Sequence, residues 1–134
     1  MAELDRTVDH AGLEVLDRVE CRRLLDAGGV GRVALAGDPP VVRPVNFVLD
    51  GDRIVIRTGP GVLVASAVEQ RLATFEIDHA RNVDHHGWSV IASGPLSLVA
   101  ADEDTLSLPL RAWAPHGRDR LVAIRIDELS GRRL

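Results

Sequence analysis

Short runs between residues 30 and 126 read as strands, and a period of two, the signature of a strand, is clean in one of them. The clearest run, Val41 to Leu49, sets Val41, Arg43, Val45, Phe47 and Leu49 on one face and Val42, Pro44, Asn46 and Val48 on the other. Asp50-Gly51 supplies the residues of a two-residue hairpin turn, so Arg53 to Thr58 is predicted to run back as its partner. Before this pair, Val30 to Ala36 is a short apolar strand that Gly37, Asp38, Pro39 and Pro40 end in a tight connection. After it come Leu72 to Asp78, Gly87 to Val99 and Leu121 to Ile126, giving six strands in all. Pro44 cannot donate to a ladder and places its strand at an edge or a distortion, and Gly94-Pro95 predicts a bend or bulge in the fifth strand.

Helical signals are few and short. Asp17 followed three places later by Glu20 is a capping-box-like start, Val19, Cys21, Leu24 and Leu25 form the apolar side, and Gly28-Gly29 ends the helix. Thr58-Gly59-Pro60-Gly61 opens a second helix over Val62 to Gln70, because Gly can cap and Pro favours the first helical turn. A third, acidic helix is expected near Asp102 to Leu108, with an irregular segment around Trp113 after it. Residues 1–12 show no sustained period and read as a flexible arm, leaving 13–134 as a single domain. Hairpin-linked antiparallel strands with few helices between them predict a mainly β fold, a closed or partly closed barrel, and exclude a doubly wound sheet. Gly28-Gly29-Val30-Gly31 precedes a strand instead of following one, so it lacks the context of a dinucleotide fingerprint.

Composition narrows the function. A 134-residue chain hides roughly 70% of its unfolded surface, enough for a core without staples. Cys21 is the single cysteine, which excludes an internal disulfide and a multi-cysteine zinc module and fits a reducing, cytoplasmic setting. No apolar run reaches about 18 residues, and the acidic, polar N-terminus does not read as an export signal. A formal charge of -4 argues against nucleic acid as a partner. All 16 basic residues are arginine, so Schiff-base chemistry is excluded, and a bound anion must be held by guanidinium, hydroxyl or backbone N–H groups.

Arg57-Thr58-Gly59-Pro60-Gly61 sets a guanidinium and a hydroxyl beside the backbone amides of a helix start, which is the chemistry of a phosphate seat. The competing reading is a solvated strand arginine followed by a plain turn. Phe47, Phe75, Trp88 and Trp113 are the only aromatics; Phe47 and Trp88 could wall a planar cofactor or simply fill the core, and Trp113 suits cover over a ligand or partner subunit. Asp78, His79, Asp84, His85 and His86 read as a polar hairpin tip and not as a metal site, since nothing fixes four-ligand geometry. Cys21 reads as a small buried hydrophobe, and Glu76 as an outward carboxylate on an alternating strand. Ser66, Ser89 and Ser93 lack a nucleophile elbow, and no catalytic residue can be assigned.

Taken together, several segments resemble the pyridoxamine 5'-phosphate oxidase-like FMN-binding split-barrel family, in particular its short actinobacterial-type members. The likeness spans about residues 13–134 and is carried by Val30-Gly31-Arg32-Val33-Ala34, Arg43 to Gly51, Ile56 to Gly61, Ala73 to Asp78, Gly87-Trp88-Ser89-Val90 and Trp113-Ala114-Pro115. The resemblance implies a six-stranded antiparallel split β-barrel and a homodimer with two FMN sites at the subunit interface. It implies that Arg43, Val45, Asn46 and Phe47 run beside the flavin ring. Arg57, Thr58, Gly61 and Val62 would meet the phosphate, and Trp88, Ser89 and Trp113 would approach from the partner chain. Relatives commonly carry Ser-Lys where this chain has Val62-Leu63, and Arg118-Asp119-Arg120 stands where true pyridoxamine phosphate oxidases have an arginine and histidine pair. The expected activity is therefore not vitamin B6 oxidation. It is transfer of hydride or electrons between FMN, or the deazaflavin F420, and a small-molecule substrate. The alternative is a non-catalytic protein that sequesters F420, haem or a drug. Neither a membrane nor nucleic acid is expected as a partner.

Overall fold

The computed structural model describes residues 7–100, 102, 105, 108–110 and 120–134. Its elements are strands β1 (Thr7–Val8) and β2 (Glu14–Val15), helix α1 (Arg18–Asp26), strands β3 (Gly29–Leu35), β4 (Val41–Asp50) and β5 (Arg53–Thr58), helix α2 (Val62–Val68), and strands β6 (Leu72–Arg81), β7 (His86–Leu98), β8 (Arg120–Arg125) and β9 (Glu128–Arg133). All six expected strands are present. β6 and β7 run further into the expected polar loop than the sequence indicated, because their ladder continues to the pair Arg81–His86. Most of the acidic helix expected near Asp102 to Leu108, and the whole Trp113 segment, lie outside the described residues.

The sheet order β1-β2-β9-β7-β6-β3-β4-β5-β8, with a further β7–β8 pairing, closes β7, β6, β3, β4, β5 and β8 into a six-stranded antiparallel barrel. Closure depends on one strand changing partners. The first half of β7 pairs with β9, from Trp88–Arg133 to Ser93–Glu128, and its end pairs along the same edge with β8, from Leu96–Ile124 to Leu98–Val122. Gly94 and Pro95 mark the handover. The Leu96 amide donates toward the β6 side, to the Arg71 carbonyl, at 2.9 Å. Strand alternation therefore aims the Pro95 nitrogen at the other edge, where neither β8 nor β9 pairs with it, and its missing N–H costs no ladder bond.

The interior is built by the inward rows of each strand around Phe75, which is fully buried and meets Phe47 edge-on with centroids 4.6 Å apart. Val33, Ile54, Ile56, Val90, Leu96, Val122 and Ile124 complete it. α1 adds Cys21, Leu24 and Leu25 and α2 adds Leu63 and Ala67 to the same cluster. Asp17 caps α1 as expected, its Oδ1 accepting from the Glu20 amide at 2.8 Å. A second cluster lies outside the barrel wall, where Val55, Leu121 and Ala123 pack with Leu110. The described part of the N-terminal arm pairs as β1 with β2, and Arg132 Nε donates to Asp9 Oδ2 at 2.9 Å.

Candidate functional site

β4 is paired on both sides for only part of its length. Its ladder with β3 runs from Val41 to Phe47, whereas its ladder with β5 covers only Phe47 to Asp50. β5 pairs with β8 along its whole length, Arg53 to Thr58, and beyond Ile56 has no partner in β4; after Thr58 the chain leaves through Gly59-Pro60-Gly61 into α2. Residues 41–46 of β4 therefore present one edge with no neighbouring strand, and Pro44 sits in that singly paired stretch as its chemistry requires. This open edge, the end of β5 and the start of α2 make the candidate site.

Strand parity decides which side chains can serve it. Val45 and Phe47 point into the barrel core. Asn46 faces outward and is half-buried, and Arg43 is exposed, its Nη1 donating to the Val42 carbonyl at 3.0 Å. Thr58 is buried at the end of β5, and Arg57 is exposed on the opposite face of that strand. Gly61 caps α2 at φ 154° with nothing within 4 Å of where a Cβ would stand, and no side chain caps this helix. The first-turn amides of α2 thus lack a side-chain acceptor, which suits an anionic ligand. Leu63 belongs to the core and Val62 packs half-buried against it, so neither offers a hydroxyl or a cation. The residues present fit a phosphate held by amides and arginine, with a planar ring hydrogen-bonded along the β4 edge.

Arg120 is a member that sequence reasoning missed. It pairs with Thr58 across β5 and β8, which places a second guanidinium-bearing residue beside the threonine. Only the β5–β8 pairing, a contact between distant segments, could have revealed it.

Trp88 and Ser89 lie elsewhere. β7 reaches β5 through β8, but only at its Leu96–Leu98 end; Trp88 and Ser89 lie at the other end, roughly 23 Å or more along the strand, so in one chain they do not share a pocket with Thr58 and Gly61. Ser89 faces outward and Trp88 follows the inward row onto the core. Trp113 falls outside the described residues.

On the same outer face, Arg32 Nε donates to Glu76 Oε1 at 3.1 Å and Arg32 Nη2 meets Asp78 Oδ1 at 2.9 Å. Burial and the hydrogen bond with Asp78 push the Glu76 carboxyl above its ordinary range. Asp78 is held below its own by the bonds from Glu76 and Arg32. Among the described residues no buried side-chain nitrogen or oxygen lacks a partner, no group of His, Cys, Asp or Glu could hold a metal ion, and no helix is long and apolar enough to cross a membrane.

A closed six-stranded antiparallel barrel, split along one strand edge beside a strand-to-helix turn, is the architecture of flavin-binding split barrels. The model of the pyridoxamine 5'-phosphate oxidase family matches residues 17–133, and the chain belongs to that family. Among solved structures it is similar to an FAD-binding protein from Mycobacterium smegmatis, with 27% identity, a TM-score of 0.73, and coverage of 90% of this chain and 98% of that one. A conserved protein of unknown function from Corynebacterium diphtheriae shares 28% identity at a TM-score of 0.71, covering 90% and 96%. An FAD-binding protein from Mesorhizobium loti, at 19% identity and a TM-score of 0.70 over 90% and 96%, shows the shared fold. No curated protein matches the chain.

Proposed function

We propose that this protein is a homodimeric flavin-nucleotide-binding oxidoreductase that passes hydride or electrons between the flavin and a small molecule. The observation that carries the reading is the open edge of β4 running into the uncapped start of α2. Arg57, Thr58 and the amides of Gly61 and Val62 hold the phosphate, with Arg120 beside Thr58. Asn46 and the backbone of β4 bond the polar rim of the ring, while Val45 and Phe47 anchor that strand from within. Because Trp88 and Ser89 are out of reach in one chain, a second copy supplies them, and Trp113 with them. The bound flavin supplies the redox chemistry; the protein orients it and excludes water, which needs no acid-base constellation.

The apolar Val62-Leu63 pair bears on which flavin. A terminal phosphomonoester such as that of FMN carries about 1.5 to 2 negative charges at neutral pH. Each phosphate of a diphosphate diester carries one. FAD spreads a similar total over two phosphates, so a seat without lysine meets less charge at either one; together with the likeness to the FAD-binding protein of M. smegmatis this favours FAD over FMN.

Visible spectra recorded after loading with FAD, FMN or F420 and removing the excess test this directly. FAD should be retained best, and Arg57→Ala should weaken it roughly ten- to a hundredfold without unfolding the barrel. Wild-type protein that retains no flavin, or an Arg57→Ala variant with unchanged affinity, would overturn the assignment. The same apolar pair favours a second reading, a sequestering protein for a flavin, F420, haem or a drug; a reduced protein that cannot reduce an artificial acceptor would select it.

A further inference from the structure

The β6–β7 hairpin overhangs the barrel. β6 pairs with β3 only as far as Glu76, yet its ladder with β7 continues through His79–Trp88 to Arg81–His86. The row that turns Phe75, Ile77 and Val90 into the core therefore carries on, past the barrel mouth, as His79, Arg81, His86 and Trp88. β9 runs alongside and pairs Arg133 with Trp88. Together with Gly87 and Leu134 these residues line a cleft of about 190 Å³.

We propose that this cleft binds a small aromatic anion, one ring bearing a carboxylate. Charge selects the anion: the lining side chains include two guanidinium groups and two imidazoles and no carboxylate. Arg133 is fixed from behind, its Nη2 donating to Glu20 Oε1 at 2.6 Å. Among the described residues Arg81 has one ion pair, an exposed contact to Asp84 at 3.4 Å that is weak enough for a ligand carboxylate to replace. Shape selects the ring. Trp88 and His79 stand 6.4 Å apart between centroids and are inclined by 32°, forming one wall, and Gly87 between His86 and Trp88 contributes only backbone to the lining. Size excludes the cofactor, because sites for larger ligands run to about 300–1,000 Å³. The two arginines also disfavour a metal cation, although two histidines are present. This site shares Trp88 with the flavin reading, which turns that residue toward a second copy, and it gives a purpose to histidines that reading leaves unused.

Benzoate is the probe, titrated at millimolar concentrations into the purified full chain while the Trp88 indole N–H and Gly87 amide are followed by NMR. Trp88→Phe identifies the indole signal, and the flavin spectrum of the same sample is recorded separately. Both signals should move with benzoate. Arg81→Gln, at an exposed position that leaves the amide spectrum otherwise intact, should weaken binding about tenfold. Benzamide, which keeps the ring without the charge, and inorganic phosphate, which keeps a charge without the ring, should bind more weakly than benzoate. No movement of the Trp88 indole with benzoate, equal affinity in Arg81→Gln, or benzamide or phosphate binding as tightly as benzoate would overturn the proposal. Loss of flavin with benzoate binding intact would overturn the flavin reading alone.

Discussion

Glu20 joins two distant parts of the chain through one carboxylate. Its Oε1 accepts from Arg23 within α1 and from Arg133 at the far end of β9, each at 2.6 Å. The bonds from Arg23 and then Arg133 lower its pKa to about 2. A depressed carboxylate stabilises the fold above its unfolded value of 4.5, and that contribution fades as pH falls from there toward 2. Glu20→Gln should therefore cost about 1 kcal/mol at neutral pH, after allowing for solvent screening, and make stability less pH-dependent across that interval in urea titrations. A variant with the parent's acid limb would remove Glu20 from this role. The capping spacing pointed to Glu20, and the Asp17 half of the motif is present. The carboxylate's second partner, Arg133, 113 positions away, was not legible in local spacing. Parity hid another part of the site: in Val41 to Leu49 both faces carry apolar residues, so the alternation was readable while the choice of Val45 and Phe47 as the inward side chains was not.

Among the elements, β7 carries the most topology, and its glycine is the point to test. A Cβ on Gly94 would overlap the Arg125 backbone carbonyl, which cannot move without breaking the β8 end of the closure. On Gly31 it would overlap the ring edge of Phe75, a side chain with some freedom, and approach the Glu76 carbonyl at 2.9 Å. Gly31→Ala should cost about 1–3 kcal/mol and Gly94→Ala more, in thermal or urea unfolding. The reverse order would show that the handover tolerates displacement. Gly94-Pro95 was readable as a bend because both residues are misfits in a regular ladder. β9 was not readable. Its inward position Gly131 has no side chain, since a Cβ there would stand 2.7 Å from Cys21 Sγ, and the strand loses the apolar beat that betrayed the other six.

The whole molecule wears its two outer walls differently. Val55, Leu121 and Ala123 on the β5–β8 side are covered by Leu110, whereas the β4–β3–β6–β7 side leaves Val42 53% and Ile91 44% exposed around the Arg32, Glu76 and Asp78 trio. Arg32 pairs with both carboxylates of the trio, so these polar groups are already engaged on the face. If the proposed homodimer forms through this face, Ile91→Arg, at an exposed position, should leave the monomer folded and shift sedimentation from dimer to monomer. Flavin retention should fall with it, since Ser89 would no longer reach the other copy's β4 edge. A dimer that survives the substitution would move the interface elsewhere.

β8 and β9 share one edge of β7, and this sets an order of events as the chain is made. β5 must wait for β8, as Arg57 pairs with Leu121, and β2 for β9, as Glu14 pairs with Arg133. While the ribosome still holds those late segments, β5 and β7 each expose an unsatisfied edge, and such long-range pairings form slowly. The nascent chain is thus most open to wrong strand partners just before its barrel can close.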